Sequence, residues 1–397
     1  MVRDCSILFE ERGHVTHVLT STHGVDEPIE EGNVSRVLHP DSDVFHYDPI
    51  RELRHKQMLD ENLKNTERVI NEFKPDIVYV HLMYNMSRGV PWIAEQLMPG
   101  RVAYWIANDW PYAPDPHTAY WRDPAGNPVK RALKSLVGQI PIAAIKREHD
   151  RFKLRFKHVM CVSEAVMNSL NKEAGIPYDS LCVLNNGVET ELFKPVDNSS
   201  YPEDELRVLY AGSVNEHKGV HTILEALHYL DEQGKVDKIS LTIVGDGHPD
   251  YAVKLKKYVA EQQLEDKVTF YGRVPRAKMH EVIRDFNLLV FPSIWEEPLA
   301  RMMQEGMSAG LTVLGTLTGG SGELLVEGET GLTFDKENSV QLANRLRELQ
   351  ADPALRQRLA DNGRAEILKR FSMERMMDEM EERLTKILDE QSTPLSG

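Results

Sequence analysis

The feature that most constrains this chain is a regular alternation of short β-rich runs with helical runs. In the second half the strands read Arg207–Ala211, Ile239–Val244, Val268–Tyr271, Leu288–Phe291 and Thr312–Leu314. Helical stretches at His221–Leu230, Tyr251–Gln263 and Lys278–Asp285 lie between them. Strands alternating with helices of that length imply βαβ units, hence a parallel sheet with helices on both faces. The first half repeats the scheme less cleanly. Strands are expected at Thr16–Leu19, Ile77–Val80, Val102–Ile106, His158–Val162 and Leu181–Leu184, around a long helix from about Ile50 to Phe73. In that helix Leu59, Leu63, Ile70 and Phe73 follow the 3–4 spacing of a buried stripe.

At 397 residues the chain suits two domains. The segment Lys194–Glu205 is polar and carries two prolines, which suits a linker. The division expected is 1–195 for an N-terminal, acceptor-side domain, 196–205 for the linker and 206–371 for a C-terminal donor domain. An amphipathic helix at 372–390 is expected to cross back onto the first. The net charge of −15 argues against nucleic-acid binding, which demands clustered Lys and Arg. Three widely spaced cysteines (Cys5, Cys161, Cys182) give neither a disulfide framework nor a zinc pattern, and fit a reducing cytosol. No run reaches the ~18 apolar residues of a membrane span. The opening MVRDCSILFEERGH carries charges where a signal peptide would be apolar.

The sharpest chemical signal is Glu297-Pro-Leu-Ala-Arg-Met-Met-Gln-Glu305, after the strand Leu288–Phe291. Pro298 suits a first helical turn, and Ala300–Ser308 reads as helix ending at Gly310. Glu297 then stands just before a helix N-terminus and Glu305 about two turns in, ~12 Å along the axis. A helix N-terminus binds a diphosphate through backbone N–H groups and its dipole. The two carboxylates would flank that diphosphate and accept hydrogen bonds from sugar and ribose hydroxyls. Two solvent-facing glutamates at a helix start are the plainer reading of the spacing alone. Their place at the carboxyl end of a strand in an α/β sheet favours a ligand site.

With these residues the chain resembles glycosyltransferase family four, whose hallmark is a Glu, seven intervening residues and a second Glu. Other stretches follow the same family in order: VMCVSEAV, VLNNGVETELFKP, LYAGSVNEHKGVHTILEAL, IVGDGH, FYGRVP, TGGSGELL and GETGLTF. The resemblance runs from about Arg12 to Phe371. It implies two Rossmann-like α/β domains facing across a cleft (the B-type fold) and retaining transfer from a nucleotide-diphosphate sugar. Position by position, it assigns Lys218 to the donor diphosphate, Glu297 to the transferred sugar and Glu305 to the ribose. Ala300, Arg301 and Met302 would offer backbone N–H groups. Gly212 and Ser213 would form the donor loop, while Gly245, Arg273 and Val274 would line the base pocket. Asn108 and Asp109 would stand near the transferred sugar. No metal or other cofactor is expected, since Lys218 and the helix dipole would stabilise the leaving diphosphate. Asp41-Ser-Asp43 has the look of the two-Asp metal motif of other glycosyltransferases, but its turn-type neighbours read as a polar loop.

Three positions depart from the family pattern. Ser213 stands where an Arg is usual, and Asn108 where a His is usual. Relatives also open with a strand and a glycine-rich turn that would precede Met1 here. The first sheet is therefore expected to lack its first, central strand, with the native start roughly 20 residues upstream.

Two features bear on the acceptor, which is a carbohydrate, a lipid-linked glycan or a small molecule. Trp92, Trp105, Trp110 and Trp121, with Tyr104, Tyr112 and Tyr120, fall in one short stretch and suit either sugar stacking or core packing. Residues Pro128–His158 carry nine Lys and Arg against two acids around an apolar SLVGQIPIAAI. That suits either a solvated surface helix or contact with an anionic membrane, at its cytoplasmic face. The leading reading is a retaining, metal-independent glycosyltransferase. The alternatives are a catalytically impaired relative that binds a sugar or nucleotide, and another enzyme on the same fold.

Overall fold

The structure is a computed structural model that describes residues 2–40, 55–113, 138–195 and 202–392. Asp41 to Asp43, Tyr120, Trp121, most of the linker and the first part of the basic stretch lie outside the described residues. The chain folds as two compact units. One holds residues up to Cys161, Val166–Leu184 and Met377 onward; the other holds Val162–Ala165 and Asn185–Met376.

The second unit has one six-stranded parallel sheet. Its strands are β8 (Leu206–Ala211), β9 (Ile239–Val244), β10 (Val268–Gly272), β11 (Leu288–Phe291), β12 (Thr312–Gly315) and β13 (Leu332–Thr333). They lie in the order β10-β9-β8-β11-β12-β13. That is the doubly wound order, running outward from β8 in both directions. Near-continuous Val, Leu and Ile runs suit strands covered on both faces. Leu206, Val208 and Tyr210 of β8 and Leu241 and Ile243 of β9 pack in one core with Ile223, Leu227 and Leu342. The helix Val220–Glu232 supplies Val220, Ile223, Leu224, Leu227 and Leu230, an i, i+3, i+4, i+7 stripe. The expected helix Lys278–Asp285 is instead three short pieces: Arg276–Lys278, Met279–Val282 and Ile283–Asp285. Only Met279 and Ile283 are buried there, too few apolar positions to seat a longer helix.

Among the described residues the first unit has seven strands, in two sheets. β1 (Val18–Ser21) pairs parallel with β3 (Val34–Leu38), which pairs antiparallel with β2 (Ile29–Glu31). β4 (Val78–Val80), β5 (Val102–Ile106), β6 (His158–Cys161) and β7 (Leu181–Val183) form a parallel set. No ladder joins β1 to β4 among the described residues. The strands β2 and β3 were not expected, because their charged and polar residues hide the pattern.

The long helix, described over His55–Phe73, buries Leu59, Asn62, Thr66, Val69 and Ile70 rather than Leu63 and Phe73. Asn62 earns its place on the buried face by closing both backbone groups of His39. The His39 amide donates to Oδ1 at 2.6 Å, and Nδ2 donates to the His39 carbonyl at 2.8 Å. A buried amide that satisfies a strand end breaks the apolar spacing without costing stability.

Part of the aromatic cluster is core. Tyr104, Trp105 and Trp110 are all buried. Tyr104 and Trp110 stack with Phe156 at 4.8 and 5.7 Å. Trp92 meets Phe152 edge-on at 5.2 Å. The stacking option for sugars thus fails for Tyr104, Trp105 and Trp110, whereas Trp92 and Tyr112 are half-buried. Buried Glu95 accepts the Tyr104 hydroxyl at 2.7 Å and the Arg155 amide at 2.9 Å, so its charge is matched by donors. The C-terminal helix Met373–Ser392 joins the first unit from Met377 on. There Glu381 accepts from Arg12 and His14, each at 2.9 Å.

Candidate active site

In an open α/β sheet ligands bind beyond the carboxyl ends of the strands, at the point where strand order reverses. In the second unit that point lies between β8 and β11, paired through Leu288↔Val208 and Leu289↔Leu209. The loop after β8 carries Gly212, Ser213 and Lys218; the loop after β11 carries Pro292 to Glu297. The sequence therefore places its candidate residues where the topology opens.

Two chains of contacts lock these loops together. The His217 carbonyl accepts the Ile294 and Trp295 amides at 3.0 and 3.1 Å. Gly219, at φ +68°, lies so close that a Cβ there would sit 2.1 Å from the Pro292 carbonyl oxygen. Only glycine permits both the left-handed backbone and that approach. Lys218, in the turn Glu216–Lys218, reaches Glu297 Oε1 in an ion pair. Ser293 Oγ, wholly buried, donates to the same oxygen at 2.7 Å. Glu297 Oε2 accepts nothing from the described residues. The carboxylate is thus fixed by one oxygen and presents the other. The Glu297 carbonyl in turn accepts the Gly320 amide at 2.7 Å, pinning the backbone as well.

Glu305 is differently placed. The helix begins at Arg301, not Ala300, and runs to Ser308. Pro298 and Leu299 form a bend before it, so Glu305 stands little more than one turn in rather than two. Its side chain is 5% exposed and its Oε1 lies 2.9 Å from Arg276 Nη2 and 3.5 Å from Arg301 Nε. Burial pushes its pKa up, against the pull of the two arginines. No side chain caps this helix, whose N-cap residue is Ala300 in extended conformation, followed by Arg301 and Met302. A helix start of this kind leaves backbone N–H groups without intrahelical partners.

The remaining predicted residues take these positions. Gly245 follows β9 at φ +137°, where a Cβ would sit 1.9 Å from the Gly212 carbonyl oxygen, so the two glycines bring the loops after β8 and β9 together. Arg273 and Val274 follow β10, Arg273 exposed and Val274 half-buried. Ser213 is exposed, and its carbonyl accepts the Tyr210 hydroxyl at 2.7 Å. Asn108 and Asp109 belong to the first unit, just past β5, where Asn108 Oδ1 accepts the Trp110 amide at 3.2 Å.

Sequence reasoning missed Arg276, Ser293 and His217. No motif marks Arg276 or Ser293; only the folded chain brings them to the carboxylates. His217 stands beside Lys218, its pKa lowered by burial and by that lysine, and its ring meets Trp295 edge-on at 6.0 Å. No group of three or more His, Cys, Asp or Glu that would hold a metal occurs among the described residues.

The Glu305 environment gives a pH prediction with a fixed sign. A carboxyl whose pKa is raised in the fold holds its proton more tightly there than when unfolded. It therefore favours the fold at acid pH and costs stability as pH rises through its folded pKa. Glu305→Gln removes that cost. The melting temperature of the variant relative to the unaltered chain should rise as pH rises above the ordinary carboxylate range. A difference that is flat with pH would show that Glu305 titrates as an exposed carboxylate does.

Comparison with known proteins decides the family. The profile "Glycosyltransferase Family 4" matches residues 1–192, and "Glycosyl transferases group 1" matches residues 196–366. The chain belongs to the family-four glycosyltransferases. A glycosyltransferase of Methanocaldococcus jannaschii is 28% identical over 218 residues, 55% of this chain and 56% of that protein. The chain spans about half the length of the curated relatives it matches. The crystal structure of a glycosyltransferase from Rickettsia africae superposes with a TM-score of 0.71 at 17% identity, over 97% of this chain and 93% of that one. Anabaena HepE, solved with UDP, gives 0.62 at 18% identity, over 86% and 90%. At such identities the likeness is one of fold. Lys218 and Glu297 lie beyond the carboxyl ends of β8 and β11, and Glu305 lies in the helix Arg301–Ser308 that follows.

Proposed function

We propose that this glycosyltransferase-family chain moves a sugar from a nucleotide-diphosphate donor to a carbohydrate or lipid-linked acceptor, with retention of configuration and without a metal. The observation that carries the reading is the Lys218–Glu297 pair at the switch point of the second unit, one carboxylate oxygen fixed and the other open. On donor binding Lys218 would turn to the diphosphate, and the open oxygen of Glu297 would accept from a sugar hydroxyl. Glu305, held by Arg276 and Arg301, would take the ribose hydroxyls. Arg301 and Met302 would offer their amides to the phosphates. Positive charge from Lys218 and from the helix start would stabilise the departing diphosphate, the part a divalent ion plays elsewhere. Asn108 and Asp109 would act on the transferred sugar or the acceptor. The UDP bound to HepE supports a nucleotide ligand for this fold. Peripheral membrane contact through 128–158 remains part of the proposal. No helix among the described residues is long and apolar enough to cross a membrane.

The test is turnover of UDP-, GDP- and ADP-sugars by the purified chain, with the anomeric proton of the product followed by NMR. Transfer that persists in EDTA and keeps the donor's anomeric configuration is the expected result. Inverted product would overturn retention, and loss of transfer in EDTA would overturn metal independence.

A further inference from the structure

We propose that Ser293 is a positioning residue for Glu297, holding the carboxylate while Lys218 leaves it for the donor. The inference rests on the functional reading above and concerns which contact survives donor binding. In the ligand-free chain Glu297 Oε1 has two donors, Lys218 Nζ and Ser293 Oγ. An ammonium that must serve a diphosphate cannot also serve as the permanent anchor of the carboxylate. Ser293 has no second task of that kind.

Its hydroxyl carries one proton and two acceptors lie near it: Glu297 Oε1 at 2.7 Å and the Trp295 carbonyl at 3.3 Å. The shorter contact has the usual O–H···O length and a charged acceptor, so the proton goes to the carboxylate. The Ser293 backbone is held as well. Its carbonyl accepts the Thr316 hydroxyl at 2.6 Å, and the neighbouring Ile294 amide is bound by the His217 carbonyl at 3.0 Å. Pro292, on its other side, lies against Gly219. A side chain that is 1% exposed, on backbone anchored to both flanking loops, is a rigid donor. Lys218 is the mobile partner, on a long stem and 23% exposed. The two donors to one oxygen are therefore unequal: one releases, the other stays.

Ser293→Ala and Ser293→Thr test this. With the nucleotide sugar that the unaltered chain consumes, Ser293→Ala should lower kcat by about 10- to 100-fold, the scale of a misplaced group. Affinity for the matching nucleoside diphosphate, which lacks the sugar, should stay within about twofold. Ser293→Thr, which keeps the hydroxyl, should recover most of the kcat. An unchanged kcat in Ser293→Ala would overturn the proposal. So would a parallel fall of kcat, nucleotide affinity and melting temperature in both variants, the mark of a purely structural role. A chain that consumes no nucleotide sugar would refute the functional reading instead. The positioning claim is then read from crystal structures of ligand-free Lys218→Met and Lys218→Met/Ser293→Ala: the Glu297 carboxylate should keep its place in the first and leave it in the second, and a carboxylate that behaves alike in both overturns the claim.

Discussion

Replacing Glu297 with glutamine should cut sugar transfer by about 10²- to 10³-fold while the second unit stays folded, because a positioned charge at the reacting sugar is worth that much. Glutamine is isosteric and can still accept from Ser293, so the loop Pro292–Glu297 keeps its course. Lys218 is left without its ion pair, yet it is partly exposed and turns to water at small cost. The measurement is kcat against melting temperature in the same preparation. A large drop in kcat with a melting temperature within about 2 °C is expected, since the isosteric amide keeps the Ser293 hydrogen bond and costs under about 1 kcal/mol. Unchanged turnover would remove Glu297 from the chemistry.

Gly219→Ala should have the largest effect on stability. The residue sits at φ +68°, where an L side chain is strained, and its Cβ would lie 2.1 Å from the Pro292 carbonyl oxygen. The left-handed backbone alone costs about 1–2 kcal/mol. The clash forces the Pro292 backbone to move, and with it Ser293 and Glu297. A loss of about 2–4 kcal/mol follows, together with a strong fall in turnover. Gly322→Ala is the control: its Cβ meets nothing within 4 Å and the backbone there is not left-handed. Calorimetric unfolding of the two variants should separate them clearly. Equal melting temperatures would show that the two loops do not depend on their close approach.

The parts of this molecule that were legible in its sequence are those governed by local pattern. β8 and β11 are buried along almost their whole length, and β9 buries Ile239, Leu241, Ile243 and Val244 while exposing Ser240, so each carries a local apolar pattern. The Glu297/Glu305 pair was legible because its spacing and the strand before it are both local. The start of the intervening helix was misjudged by one residue, and Pro298 by more. The Glu297 carbonyl is taken by the Gly320 amide from a distant turn, which holds Pro298 and Leu299 in a bend. In the first unit β2 is exposed throughout and short, so no apolar alternation announces it. The buried stripe of His55–Phe73 was misread because Asn62 and Thr66 are buried through hydrogen bonds rather than through hydrophobicity. Arg276 and Ser293 could not be read at all. Arg276 reaches Glu305 across 29 residues of chain, and Ser293, only four residues from Glu297, meets it through the course of an irregular loop that carries no local pattern.

The central claim is that the second unit binds a nucleotide-diphosphate sugar through Lys218. Thermal unfolding of the chain, and of Lys218→Met, against UDP-, GDP- and ADP-sugars tests it most directly. One nucleotide class should stabilise the unaltered chain, by about 2.7 kcal/mol at 100-fold its Kd. The same ligand should stabilise Lys218→Met far less, while the two unliganded proteins melt close together. No stabilisation by any of these nucleotides, or equal stabilisation of both proteins, would contradict the account.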